Sequence, residues 1–215
     1  MLEPTHHFLC LNKMHRWQRF QLVIKLLERK LDQFGKISYI DTAGLPNTQF
    51  NNRFPMIIDS PTIDWHTQFD YTDQSMTRAL FNIVTESSYE TEPGATHIEH
   101  HCFPALTEKT YKCFGMSQIP IWLAPYQAVE CYRELGFDVF DDIVDHSYDM
   151  VKNPFDRITT AIDNNVHLLS DGQLVKQLWQ ANQPRFVKNI DTAKNITIYY
   201  QGRVEKLWKN LHWNK

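Results

Sequence analysis

The sequence predicts an α/β fold: a mostly parallel, Rossmann-like sheet with flanking helices. Short apolar runs of strand length alternate along the chain with segments whose apolar residues recur every three or four positions. Glycines and capping residues separate these segments. Because parallel strands need a crossover connection, the alternation favours strand–helix–strand units. A length of 215 residues is enough for one sizeable core, so we expect a single domain over 1–215 whose part from about 150 to 215 is helical.

The first predicted unit is a strand, a loop and a helix. Residues 8–11 form a short apolar run, and residues 37–40 form a second one after Gly35. Between them lies a helical pattern, carried by Phe20, Val23, Ile24, Leu27 and Leu31. The loop over 12–19 is rich in cations, and it follows a strand, where open α/β sheets bind their ligands.

The middle of the chain predicts two more strands and a capped helix. The composition of residues 41–73 indicates a long excursion with little regular structure. Residues 79–85 read as a buried strand that ends at Glu86, and residues 119–123 as the next strand. Between them Thr107 is a suitable N-cap for a helix that Gly115 ends.

The rest of the chain is mainly helical by pattern. Helices are predicted over 127–135, 155–169, 172–181 with Ser170 as the cap, and 204–211. The acidic run over 137–149 is expected to be a solvated segment.

Composition excludes several classes of protein. A net charge of −3 excludes a generally basic nucleic-acid coat. No run approaches the ~18 apolar residues of a membrane span, and the N-terminus lacks a secretory signal pattern. Four separated cysteines indicate reduced core thiols rather than a disulfide framework. We therefore expect a cytoplasmic location, which for a virus-encoded protein is the host cytoplasm.

Histidines invite a metal hypothesis that their spacing does not support. His97, His100, His101 and Cys102 have no second ligand pair at a recognised offset, so a solvated loop is favoured and no metal is expected. His6 and His7 are expected to be an exposed N-terminal pair.

An ordered set of motifs carries a family resemblance. It consists of residues 81–88 ending in Glu-Ser-Ser, the helix start Thr107-Glu108-Lys109, and the Pro-Ile strand over 119–125. The set resembles the fucosyltransferase-like α1,3-transferase family of GT-B glycosyltransferases, specifically its C-terminal donor-binding half. The insert between Glu86 and Thr107 is longer than in that family. Residues 136–149 look like the tail of phage and bacterial glycosyltransferase-like proteins.

The same residues have a physical interpretation as a phosphate site. Free backbone N–H groups and a partial positive charge at the start of the helix make Thr107, Glu108 and Lys109 a candidate diphosphate seat. Glu86 or Glu108 can accept hydrogen bonds from ribose hydroxyls. Arg16 or Arg19 can bind the same anion through two nitrogens, and the resemblance favours Arg19. The alternative is that Thr107 is only an N-cap and Lys109 is solvated.

The resemblance implies transfer of a sugar from a nucleotide-sugar, such as a GDP-sugar, with no separate cofactor. The acceptor, whether a glycan, a protein or a nucleic acid, is not specified, and neither is the catalytic base. In the resembled enzymes the other half of the cleft binds the acceptor, so a partner domain or subunit is expected. The alternative is a catalytically inactive glycosyltransferase-derived binding protein or phage structural protein, because fold does not fix function.

Overall fold

The sheet has the parallel architecture that the sequence predicts. A computed structural model describes residues 3–57, 78–86, 89 and 107–196. These contain one four-stranded sheet in the order β2-β1-β3-β4, and every pairing in it is parallel. The strands are β1 (His6–Asn12), β2 (Lys36–Tyr39), β3 (Ala79–Thr85) and β4 (Ile119–Leu123). The predicted α/β fold class is therefore confirmed.

Helices connect and follow the strands. They are α1 (Trp17–Glu28), α2 (Glu108–Gly115), α3 (Ala128–Glu134), α4 (Pro154–Ser170) and α5 (Gly172–Ala181). Residues 183–196 are also helical and are called α6 here. The helix predicted over 204–211 lies outside the described residues.

Helices cover both faces of the sheet. Alternate residues of a strand point to opposite faces, and in β4 Ile121 and Leu123 join the apolar cluster that contains α1 and α4. Trp122, between them, joins the cluster that contains α2 and α3. A parallel sheet covered on both faces explains why every residue of β3 and β4 is buried and why the two strands do not alternate between buried and exposed residues.

The strand order places a crevice between two particular strands. From β1 the chain crosses to β2 on one side, and it then crosses back to place β3 on the other side of β1. The connections that leave β1 and β3 therefore diverge at their carboxyl ends. Open α/β sheets bind ligands outside the strand ends at such a switch point.

Two local predictions are wrong. His6 and His7 belong to β1, and His7 stacks on Phe34 while its Nδ1 lies 3.1 Å from the carbonyl oxygen of Leu169. They are therefore not an exposed pair. The cap of α5 is not Ser170, whose hydroxyl donates to a carbonyl in its own helix. The residue after it, Asp171, accepts from the N–H groups of the first turn, because a carboxylate there can reach two of them.

The acidic run over 137–149 is solvated only in part: Asp141, Asp142 and Asp145 are exposed, but the apolar side chains are packed. Six of its thirteen side chains are apolar or aromatic, and five of these are buried, namely Phe137, Val139, Phe140, Val144 and Tyr148. Helix α6, which sequence patterning misses, accounts for this burial in part. Its Arg185 donates to both Asp138 and Asp142, so two carboxylates of the run are paired.

The cysteines behave as core groups where they are described. Cys10, Cys113 and Cys131 are buried free thiols, and burial raises the pKa of Cys10 to about 12. Cys102 lies outside the described residues, as do His97, His100 and His101. Within the described ranges no group of side chains has a metal-ligand arrangement, and no helix there is long and apolar enough to cross a membrane.

Candidate functional site

The floor of the crevice is a buried polar contact between the last residues of β1 and β3. The hydroxyl of Thr85 donates to Oδ1 of Asn12 at 2.9 Å. The Asn12 amide nitrogen also donates to the sulfur of Cys10 at 3.2 Å, and its backbone N–H donates to the hydroxyl of Ser38 at 3.1 Å. Asn12 thus links the ends of three strands, and this fixes the position of the loop that leaves β1.

Arg19 carries a buried positive charge in the first turn of α1, directly after this loop. Only 5% of the residue is exposed. One terminal nitrogen donates to the carbonyl oxygen of Met14 at 3.2 Å, whereas Nε is buried and has no hydrogen-bond partner. Burial, followed by the nearby charge of Arg16, lowers the pKa of Arg19, and Glu86 is among the groups that oppose this effect. The guanidinium therefore has unused donor capacity in a desolvated place.

The N-terminus of α1 lies beside Arg19 and lacks a side-chain cap. Its N-cap residue is Arg16, which is exposed, extended and makes no capping hydrogen bond. The first turn contains no acidic residue, and the first backbone bond of the helix is from the Phe20 N–H to the Arg16 carbonyl. The N–H groups before Phe20 and the helix dipole thus add to the positive potential of the two arginines.

Buried polar atoms without partners are concentrated in this first turn. Among the described residues four such side-chain atoms occur, and three of them belong to consecutive residues, as Trp17 Nε1, Gln18 Oε1 and Arg19 Nε. Most buried polar atoms in native proteins are paired, so a local concentration of exceptions indicates a place where water or a ligand completes the structure. Trp17 and Gln18 are not among the site residues predicted from the sequence, although they form a Trp-Gln-Arg triplet with Arg19 directly after a strand and loop.

The rim of the site on the β2 side is held by Tyr39 and Asp41. The phenol of Tyr39 is hydrogen-bonded to Nδ1 of His15. Asp41 accepts from the backbone N–H groups of Ala43 at 3.1 Å and His15 at 3.2 Å, and these bonds lower its pKa. The loop between β1 and α1 is thereby held in one conformation.

Glu86 lies at the end of β3 but does not face solvent. It is fully buried, and its two carboxylate oxygens accept from the hydroxyls of Thr107 and Thr110, the latter at 2.7 Å. Thr110 also accepts from the indole N–H of Trp122 at 3.1 Å. In this arrangement Glu86 anchors the start of α2. Its contact with a ribose stays a prediction.

Thr107 is an N-cap, as one of the two sequence interpretations states. Its hydroxyl oxygen accepts from the backbone N–H of Lys109 at 3.3 Å. Glu108 is the first residue of α2. Because the carboxylate of Glu86 lies against this helix start, α2 already has an anion from its own chain. The start of α1 has none among the described residues, so it is the stronger candidate for an external anion.

A depression with a negatively charged lining lies away from α1, among residues 127–150 that follow β4. Its volume is about 770 Å³, and its lining includes Arg133 and five carboxylates, those of Glu130, Asp141, Asp142, Asp145 and Asp149. Asp149 accepts from the backbone N–H of Val129 at 3.1 Å, and burial raises its pKa to about 6. This negative lining disfavours a phosphate, which again favours the start of α1.

Comparison with known proteins does not identify a family for this chain. No protein-family model matches the chain, and no curated protein or solved structure does.

Proposed function

We propose that this chain binds a nucleotide-sugar with the diphosphate at the N-terminus of α1, as the donor-binding half of a glycosyltransferase. The observation that carries the proposal is the buried guanidinium of Arg19, whose Nε has no partner among the described residues, at the switch point of the sheet. An anion at this position would complete a hydrogen bond that the folded chain leaves unmade.

Charge and geometry support a diphosphate in particular. The planar guanidinium of Arg19 can bind two phosphate oxygens at once, and the exposed Arg16 supplies a second cation from the solvent side. The start of α2 begins at the same edge of the sheet, one strand away. Lys109 is therefore our candidate for contact with the far phosphate, whereas the hydroxyl of Thr107 and the carboxylate of Glu86 are already bonded to each other.

The proposed reaction needs charge stabilisation rather than a covalent intermediate. The acceptor oxygen forms a bond to C1 of the sugar, and the bond from C1 to the diphosphate oxygen breaks with its electron pair on the leaving group. Arg19, Arg16 and the dipole of α1 would stabilise this charge. The acceptor proton goes to a general base, which we assign to a partner domain or subunit. The buried thiols fit a reducing compartment, so we place the reaction in the cytoplasm.

A second candidate is a glycosyltransferase-derived protein that binds without turnover, for example a phage structural component. The position of Glu86 favours it: the carboxylate at the end of β3 is turned into the core and is bonded to two hydroxyls. It therefore does not present an acid or base to the crevice.

A thermal-shift screen of the full chain with GDP, UDP, ADP and CMP sugars tests the binding claim. A ligand that binds only the folded state adds about 2.7 kcal/mol of stability at 100 times its Kd. We expect sugars of nucleoside diphosphates to raise the melting temperature more than CMP sugars, which have one phosphate. No shift with any of them at millimolar concentration would refute the proposal. Turnover near ~10 s⁻¹ by the isolated chain would exclude the inactive alternative and the need for a partner.

A further inference from the structure

Trp17 and Phe155 form an aromatic shelf next to the α1 anion site. Their ring centroids are 4.5 Å apart with an angle of 42° between the planes. Trp17 also makes an edge contact with Tyr89, whose ring centroid is 5.5 Å away. Phe155 is 40% exposed, although it is a large apolar side chain.

Hydrogen bonds hold the backbone at Phe155 in place. Asn153 caps α4 by accepting from the N–H groups of Phe155 and Asp156. The phenol of Tyr89 donates to the carbonyl oxygen of Pro154 at 3.0 Å. Because the backbone is held in this way and the ring packs on Trp17, little conformational freedom of Phe155 is lost when a ligand covers it.

The shelf and the anion site lie on different sides of the same helix start. Residues two apart in a helix are separated by about 200° around its axis. Arg19 accordingly turns under the loop toward Met14, whereas Trp17 turns toward Phe155. A phosphate at the N–H groups of this turn would thus have a cation on one side and flat rings on the other.

We infer that the shelf binds the nucleobase of the nucleotide whose diphosphate occupies the α1 site. The inference rests on the proposed function and adds to it the position of the base. Every base has a flat face that stacks on an aromatic ring. The buried Trp17 Nε1, which lacks a partner within the described residues, can donate to a ring nitrogen or carbonyl oxygen of a base. The side chains of Tyr89 and Phe155, which contact Trp17, have no carboxylate to accept hydrogen bonds from sugar hydroxyls, so the shelf fits a base better than a sugar.

Calorimetry on the full chain can separate the shelf from the anion site. The probes are inorganic diphosphate, GDP and a GDP-sugar. Phe155→Ala is expected to weaken GDP binding by about tenfold, which is within the range for one stacked base, and to leave diphosphate binding unchanged. Phe155→Tyr keeps a ring and is expected to retain GDP affinity. Val187→Ala, at another exposed apolar side chain, is the matched control and is expected to change nothing.

Trp17→Phe supplies a second test, because it keeps the ring and removes the indole N–H. It is expected to weaken GDP binding and to spare diphosphate binding, and unchanged circular dichroism would show that the variant folds. Equal loss of GDP and diphosphate affinity in Phe155→Ala, or no loss of either, would overturn the inference. Loss for the GDP-sugar but not for GDP would overturn it too and assign the shelf to the sugar. If the wild type binds diphosphate but binds GDP no tighter, the inference alone fails. If it binds none of the probes, the proposed function fails first.

Discussion

Replacement of Glu86 is expected to destabilise the fold strongly, because one buried carboxylate anchors two hydroxyls. Glu86→Ala removes the acceptor for Thr107 and Thr110. A hydrogen bond to a charged group contributes roughly 1.5–3 kcal/mol, which gives about 3–6 kcal/mol for the pair. Removing a buried charge returns part of its desolvation cost. We therefore expect a net loss of about 2–4 kcal/mol in the free energy of unfolding.

Glu86→Gln should lower the free energy of unfolding by less, about 1–2 kcal/mol. The amide oxygen still accepts from one threonine, and the amide nitrogen can donate to the other hydroxyl. Urea unfolding followed by circular dichroism measures both values, and an unchanged denaturant slope would show that the comparison is valid. Glu28→Gln, at a partly exposed ion pair with Lys25, is the control and is expected to stay within about 0.5 kcal/mol. A loss below about 1 kcal/mol in Glu86→Ala would refute the anchoring role.

Three other changes test burial and packing elsewhere in the fold. Burial raises the pKa of Asp149 from 3.8 to about 6, so between these pH values the folded state binds more protons than the unfolded state. The free energy of unfolding should therefore fall by up to about 3 kcal/mol as the pH rises from 3.8 to about 6. Asp149→Asn should flatten this part of the pH profile, measured by urea unfolding at pH 4 to 7. Arg185→Ala should cost about 2 kcal/mol and Arg185→Lys less, because only Arg bonds two aspartates through a fork; equal melting temperatures would contradict this. Gly35→Ala would place a Cβ 2.5 Å from the buried ring of Phe8 and should cost about 1–3 kcal/mol in the same assay, and a neutral effect would show that the ring can move.

The sheet was predictable because its strands are marked by local apolar runs. The predicted bounds of β3 and β4 agree with the observed ones, since both strands are buried on two faces and every residue in them is constrained. The capping role of Thr107 was predictable for a similar reason, because a cap acts within three residues. Features that depend on residues distant in the sequence were not predictable. From the sequence, His7 is expected to be an exposed terminal residue, and only the fold shows that it contacts Leu169 and Phe34.

In the candidate site, too, locally determined features were predictable and features that depend on distant residues were not. Sequence order placed Arg16, Arg19 and Glu86 at strand ends, and the fold confirms that these ends share one edge of the sheet. The sequence could not predict that Arg19 is buried, that its Nε lacks a hydrogen-bond partner among the described residues, or that Glu86 turns into the core. Each of these features results from packing between separate segments. Helix α6 was missed because Pro184 lies in its first turn. A proline there is compatible with a helix but resembles a helix end in the sequence.

The central claim is that an anion binds at Arg19, and calorimetric titration of GDP into Arg19→Met tests it most directly. We expect affinity to fall by about 1.5–3 kcal/mol relative to wild type, the range for hydrogen bonds to charged groups. Arg19→Lys, which keeps the charge but not the fork, should give an intermediate value. Arg133→Met, in the acidic depression, should leave affinity unchanged. Undiminished GDP binding by a folded Arg19→Met protein, together with its loss in Lys109→Met, would contradict the account and move the phosphate site to α2.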